Sequence, residues 1–349
     1  MMTNQASPAQ GVFVGVDTHR DRHHAAVLDR TGRELADRSF PATPAGYWQL
    51  ADWVEAFGPV EVAAVEGTSS YGAALTRFLL ERGWRVVETS PGDKSDRRRR
   101  GKTDTADAFT AARAALSGRA TAVPKDSTGV VQAIRLLRDT RRLVVRQQTQ
   151  IMNQIRTFLV TSPAEFREQF RQPTALRLAQ ALASSRPATT DPVSAALGSV
   201  LALHAARWLD CRNQARQLQQ QLQALLEQAA PTLLAIPAIG PDTAAALLVA
   251  AGQNTRRIPT EAALAHLFGI APVPVSSGNS SRFRCDRGGN RDGNAAIHRI
   301  ALGRLRRDPR TVDYIARTMA RGKTKRDAIR LLKRHLVREI HPVLQALTQ

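Results

Sequence analysis

Two cysteines in 349 residues, Cys211 and Cys285, are too few and too far apart to form a disulfide framework, and neither has a partner at metal-ligand spacing. They point to a reducing compartment. Long apolar runs are also missing. The longest, AAALLVAAG at 244–252, falls well short of the roughly 20 residues that span a bilayer as a helix. The opening MMTNQASPAQG has neither the basic region nor the apolar core of a secretory signal. A cytoplasmic protein with no membrane partner is expected.

Acidic residues are the other shortage. Thirty Asp and Glu face fifty Lys and Arg, a formal net charge of +20. The imbalance is graded along the chain. Residues 1–120 carry 16 basic against 15 acidic side chains, residues 121–240 carry 14 against 7, and residues 241–349 carry 20 against 8. A neutral beginning and a strongly cationic end imply a polyanionic partner, most simply nucleic acid. Arginine heavily outnumbers lysine, and its planar fork suits bidentate phosphate contact.

The first third reads as a mixed α/β layer. GVFVGVDTH (11–19) is a buried strand, followed by strands at 23–29 and 33–40 joined by the turn signal RTG. Helix, strand, helix and strand then follow at 43–58, 60–67, 70–83 and 84–91. The order βββαβαβα predicts a partly parallel sheet. From about 128 the pattern becomes helical. Residues 129–161 have no Gly or Pro after the first, with apolar residues at 130, 134, 137, 144, 151, 155 and 158. Residues 192–231 form a second long helical stretch, and SSRPATTDP (184–192) is a loop between the two. The pair predicts a helical, coiled-coil-like arm, either a spacer or a dimerisation device. The expected division is 1–125, an α/β domain; 126–231, the arm; and 232–349, a mostly helical carboxyl-terminal domain.

Four acids stand out by position. Asp17 ends the first strand and Glu66 ends the fourth. Carboxyl ends of neighbouring strands are where ligands gather in α/β sheets. Asp104 and Asp107, three apart in KTDTADAFTAARAA, share one helix face. A lone acid in such places is ordinarily a cap or a surface charge. Four together repel one another unless cations neutralise them, and oxygen ligands favour Mg²⁺ or Mn²⁺. The run Arg97, Arg98, Arg99, Arg100 with Lys102 lies directly before the acids, as a contact for a nucleic-acid backbone.

Two further stretches carry signals for phosphate. LAIPAIGPDTAAALLVAAG (234–252) reads as a helix-hairpin-helix that aims backbone N–H groups near Gly240 at a phosphate oxygen. In FGIAPVPVSSGNSSRFRCDRGGNR (268–291), Ser276, Ser277, Ser280 and Ser281 sit in a loop with Gly278, beside Arg282, Arg284, Arg287 and Arg291. A serine hydroxyl there can bind phosphate, or it can attack phosphorus and form a covalent intermediate. The local sequence leaves both open.

GVDTH, VEGTSSYG, KTDTADA, IPAIGP and APVPVSSGNSSRFRCDRGGNR, in this order over nearly the whole chain, resemble the DEDD transposases of the bacterial IS110 family of insertion sequences. The resemblance implies a RuvC-like amino-terminal domain of the RNase H superfamily, with Asp17, Glu66, Asp104 and Asp107 as the metal-binding catalytic tetrad. It implies a nucleophilic serine in the carboxyl-terminal domain, matched to Ser277 with Ser276 second. It further implies guidance by a structured bridge RNA that pairs with donor and target DNA. Protomers would assemble as dimers that pair on DNA, with the tetrad of one facing the serine of another. The alternative is a metal-dependent DNA junction endonuclease whose serines only bind phosphate; a non-catalytic nucleic-acid-binding protein is more distant.

Charge alone generates one prediction. Affinity of the full chain for DNA should fall linearly with log salt, by about 0.9 log units per log unit of salt for each phosphate contacted. A fragment of residues 1–125, being nearly neutral, should bind DNA poorly. Equal binding by that fragment and the full chain would contradict the charge assignment.

Overall fold

The computed structural model describes residues 11–89, 103–185, 191–278, 280–286 and 288–347. Two compact units divide the chain, residues 1–126 and 127–349. No described helix is long and apolar enough to cross a membrane.

The first unit is built on five strands: β1 (Val12–Thr18), β2 (Arg22–Leu28), β3 (Glu34–Pro41), β4 (Val60–Glu66) and β5 (Val86–Thr89). Their order is β3-β2-β1-β4-β5. The first three form an antiparallel meander, while β4 and β5 run parallel to β1, as the partly parallel prediction required. Helices α1 (Pro44–Glu55) and α2 (Ala73–Glu81) cover one face, where Val12, Val14, Val16, Ala63 and Val65 meet Leu50, Val54, Leu75 and Leu79. Thr43 caps α1 by accepting from the Gly46 amide at 3.2 Å.

Helix α3 (Asp104–Leu116) covers the opposite face. Its contact surface is made of small residues: Ala108, Ala111, Ala112 and Ala115 pack on Phe13, Ala26, Val62, Ala64 and Val87. Gly15 lies beneath it. A Cβ added there would overlap the carbonyl oxygen of Ala108 and the amide nitrogen of Ala112. The backbone of α3 therefore rests directly on β1, closer than any residue with a side chain would permit.

Among the described residues the second unit is helical apart from one hairpin. The long helices α4 (Gly129–Val160) and α7 (Pro192–Ala229) appear as expected. They pack antiparallel: Ile134 shares a core with Leu222 and Leu226, whereas Met152, Ile155 and Leu159 share another with Leu201, Ala205 and Trp208. The buried positions of α4 are 131, 134, 138, 144, 152, 155 and 159. The apolar residues at 130, 137, 151 and 158 flank that face and are partly buried. Two short helices, α5 (Ala164–Gln169) and α6 (Ala175–Ser184), close the far end of the pair. Neither was expected from the sequence.

The rest of this unit comprises α8 (Pro231–Leu234), α9 (Pro241–Ala251), α10 (Glu261–Leu267), α11 (Arg291–Arg307), α12 (Pro309–Ala320) and α13 (Lys325–Ala346). Helix α9 is the hub, with Ala244 to Leu248, Ala250 and Ala251 buried against α4, α7 and α11. The basic side of α4 contributes a charged node. Arg138 is 3% exposed. Its Nη1 reaches Asp292 at 3.1 Å and its Nε lies 3.7 Å from Asp242. Arg142 also binds Asp292, at 2.6 Å, and Arg299 binds Asp242 at 3.0 Å. Burial pushes the Asp292 carboxyl up, but Arg138 and Arg142 outweigh it and hold the group below the usual carboxylate range.

The close approach at Gly15 can be tested. Gly15→Ala should destabilise the first unit by about 1–3 kcal/mol, the usual cost of overpacking, and lower its melting temperature in differential scanning calorimetry. An unchanged melting profile would mean that α3 can move away freely.

Candidate functional site

The strand ends bring the first two acids together. Val16 pairs with Val65 in the parallel β1–β4 ladder, so Asp17 and Glu66 follow side by side. Strand alternation puts Asp17 on the face of Gly15, and Glu66 on the face of Ala64. That is the face covered by α3. The Thr18 hydroxyl donates to the Glu66 carbonyl at 2.8 Å and ties the two strand ends. Gly67, at φ 66°, turns the chain away directly after Glu66.

The second pair arrives with the helix. Asp104 and Asp107 occupy the first turn of α3, where a negative charge also suits the helix dipole. Thr103 caps this turn by accepting from the Ala106 amide at 3.2 Å. Thr105, between the two acids, anchors the turn to the sheet. Its hydroxyl donates to Asp37 at 3.1 Å, and His24 lies 2.7 Å from the same carboxylate oxygen.

Asp17 is the buried member, at 5% exposed. Its carboxyl is pushed above the ordinary value by burial, against the attraction of His19, and Asp107 and Asp104 add like-charge repulsion. His19 sits across the gap: its Nε2 lies 3.1 Å from Asp17 and 3.3 Å from Asp104. Ligand atoms of Asp17, His19 and Asp104 all fall within 4.8 Å of one another. Carboxylates held together at an electrostatic cost fit a divalent cation. His19 was not singled out from the sequence. It lies just beyond the end of β1, two residues after Asp17, so its only signal was closeness in sequence to that acid.

The serines are not in a loop. β6 (Pro272–Ser277) and β7 (Ser280–Cys285) form an antiparallel hairpin. Alternating residues around a two-residue turn favour strands over coil, and Gly278, at φ 53°, supplies the left-handed backbone the turn needs. Ser277 pairs with Ser280 at the tip, and Ser276 with Ser281. By register Ser277 shares a face with Val273, Val275 and Arg284, whereas Ser276 shares the other with Pro274 and Phe283. Ser276, Ser277, Phe283 and Arg284 are exposed, as is Arg291 at the start of α11.

Gly240 is the exposed N-cap of α9, and a Cβ there would meet nothing within 4 Å. The helix before it, α8, is a single turn, shorter than a helix-hairpin-helix reading expects. Arg97, Arg98, Arg99, Arg100, Lys102 and Arg287 lie outside the described residues, as does the side chain of Arg282.

The buried charge at Asp17 yields a two-sided prediction. Its carboxyl titrates higher in the folded chain than in the unfolded one, so ionisation costs stability as pH rises through the unfolded value. Without metal, Asp17→Asn should therefore melt above the wild type at pH 7. A saturating divalent ion should reverse the order, since wild type gains about 2.7 kcal/mol at a hundredfold excess over Kd and the variant gains little. Equal metal-induced shifts in thermal scans would remove Asp17 from the ion site.

Comparison with known proteins agrees with this geometry. Residues 14–162, which hold all four acids, match the transposase family DEDD_Tnp_IS110. Residues 230–316, which hold the α9 turn and the serine hairpin, match the family described as Transposase IS116/IS110/IS902. The chain is also similar to the uncharacterized 43.6 kDa protein of insertion element IS110 from Streptomyces coelicolor. The two are 28% identical over 390 positions, covering 96% of this chain and 94% of that protein. Acids converging at the strand ends and two family matches in this order lead to one conclusion: the chain belongs to the IS110 family of transposases.

Proposed function

We propose that this transposase cuts and rejoins DNA through a covalent phosphoserine intermediate, with Ser277 as nucleophile and Asp17, Glu66, Asp104 and Asp107 as the metal-holding tetrad. The observation that carries the proposal is the cluster of Asp17, His19 and Asp104 ligand atoms within 4.8 Å. It sits where β1, β4 and the first turn of α3 converge. The sheet order, with an antiparallel meander leading into parallel strands, supports a RuvC-like reading of this unit. A bound Mg²⁺ or Mn²⁺ would supply charge neutralisation at phosphorus and at the leaving oxygen.

The protein's own groups divide the rest of the work. Asp17 and Asp104 hold the charge, Glu66 extends the carboxylate row from the neighbouring strand, and Asp107 sets the repulsion that favours a cation. In the covalent step the Ser277 Oγ–P bond forms and one P–O bond to deoxyribose breaks. The serine proton is lost, and the released oxygen departs as a hydroxyl after taking up a proton. Rejoining reverses this sequence with a different strand end. Ser277 is favoured over Ser276 because its hairpin face carries Arg284, a cation suited to phosphate. Gly240, at the exposed start of α9, is read as a backbone contact to DNA in a helix-hairpin-helix-like turn.

Assignment of labour follows the expected segments: 1–125 cutting, 126–231 a coiled-coil-like dimerisation arm, and 232–349 DNA binding and the serine. An element-encoded bridge RNA would select donor and target DNA, and dimers would pair as tetramers on DNA. The serine of one protomer would then serve the tetrad of another.

Ser277→Ala should keep fold and DNA binding but form no covalent protein–DNA band on a denaturing gel with labelled donor DNA. Mixing it with Asp17→Asn protomers should restore part of the activity. A covalent band persisting in Ser277→Ala would transfer the role to Ser276. Cleavage surviving substitution of all four serines would favour the junction-endonuclease reading.

A further inference from the structure

The second unit contains a cavity that none of the assigned residues lines. It opens where the segment joining the serine hairpin to α11 meets α13, and its volume is about 510 Å³. A second hollow of about 550 Å³ shares Gly269, Asp286, Asn294, His298 and Lys333 with it and extends towards Arg291. The two form one trough. This size suits a single nucleotide.

Its walls differ in character. Lys325, Arg326 and Lys333 line one side and Ile270 and Ile329 provide apolar surface. Among the described residues neither Lys325 nor Arg326 has an ion-pair partner, whereas the nearby Arg330 is bound to Asp327 at 2.9 Å. Asp286 is the acid present. It accepts from the Gly288 amide at 2.8 Å and so closes the turn after the hairpin.

One polar group is held in place, and a second lines the trough at an exposed position. Asn294 donates to the carbonyls of Phe268 at 2.7 Å and Gly269 at 3.2 Å, and its oxygen accepts from Lys333 at 2.9 Å. His298 is pushed towards the neutral form by burial and by Lys333, leaving it one donor and one acceptor. Cations for a phosphate, an apolar wall for a ring and a neutral donor–acceptor for a base edge meet in one place.

We propose that this trough holds one phosphate-bearing nucleotide of the DNA strand that leads to Ser277, with Lys333 and Arg326 on the phosphate and His298 facing the base. Asp286 follows directly on β7, and six residues of strand span about 20 Å, so a strand at the hairpin tip can reach the trough. The identity of the strand rests on the serine reading; the nucleotide chemistry of the cavity does not.

The test uses the full chain and a single-stranded oligodeoxynucleotide carrying 5-iododeoxyuridine, with photocrosslinks mapped by mass spectrometry. Crosslinks are expected on the peptide containing His298. Arg326→Gln with Lys333→Gln should reduce that crosslink at least fivefold, and Arg326→Gln alone, at an exposed position, should reduce it about twofold. A control pair outside the trough, Arg306→Gln with Arg307→Gln, should leave the His298 crosslink in place. Ser277→Ala should crosslink as wild type, so the result stands apart from the fate of the covalent intermediate. Crosslinks that avoid the trough, or equal losses in the control pair, would overturn the proposal. An RNA strand with 5-iodouridine that crosslinks at His298 where DNA does not would overturn the assignment to DNA.

Discussion

Where β1 passes beneath α3, Gly15 has no side chain, and the helix backbone lies against the strand. That contact fixes how far the first turn of α3 stands from the carboxyl ends of β1 and β4. Were α3 lifted by the thickness of one methyl group, Asp104 and Asp107 would retreat from Asp17 and the charge cluster would loosen. The alanines of α3 serve the same end, since Ala108, Ala111, Ala112 and Ala115 keep the helix flat on the sheet. Chemistry at the strand ends thus depends on an absence of side-chain volume some distance below it.

A similar economy of position governs the second unit. Arg138 lies inside the junction of α4, α9 and α11, with Asp242 and Asp292 as its counter-charges. Such a node adds little net stability compared with apolar packing, but removing one partner leaves a buried charge exposed to the full desolvation penalty. It fixes how the arm enters the helical core. The same core carries the hairpin, because Gly293 lies under the Phe268 ring and Asn294 binds the carbonyls of Phe268 and Gly269.

Much of this was legible in the sequence, for identifiable reasons. The strands of the first unit are apolar runs bounded by turns, and their ends located Asp17 and Glu66. Spacing of three placed Asp104 and Asp107 on one helix face. What stayed hidden was set by tertiary contact. His19 drew no notice because a histidine after a strand is unremarkable until a helix brings Asp104 to its other side. Arg138 looked like one more cation on a basic helix. The serine stretch, rich in Gly and Ser, resembled a loop, although Val273, Val275 and Phe283 alternate as strand residues. Helices α5 and α6 were passed over because each is short and finds its apolar partners on α4 and α7.

The central claim is that the ends of β1 and β4 and the start of α3 form a divalent-ion site. Anomalous diffraction from crystals of the protein grown with Mn²⁺ tests it most directly. The account predicts an anomalous peak within about 2.0–2.6 Å of carboxylate oxygens from Asp17 and Asp104, with His19 rotated aside or bound to the ion. Manganese found only elsewhere, with Asp17 still paired to His19, would contradict it.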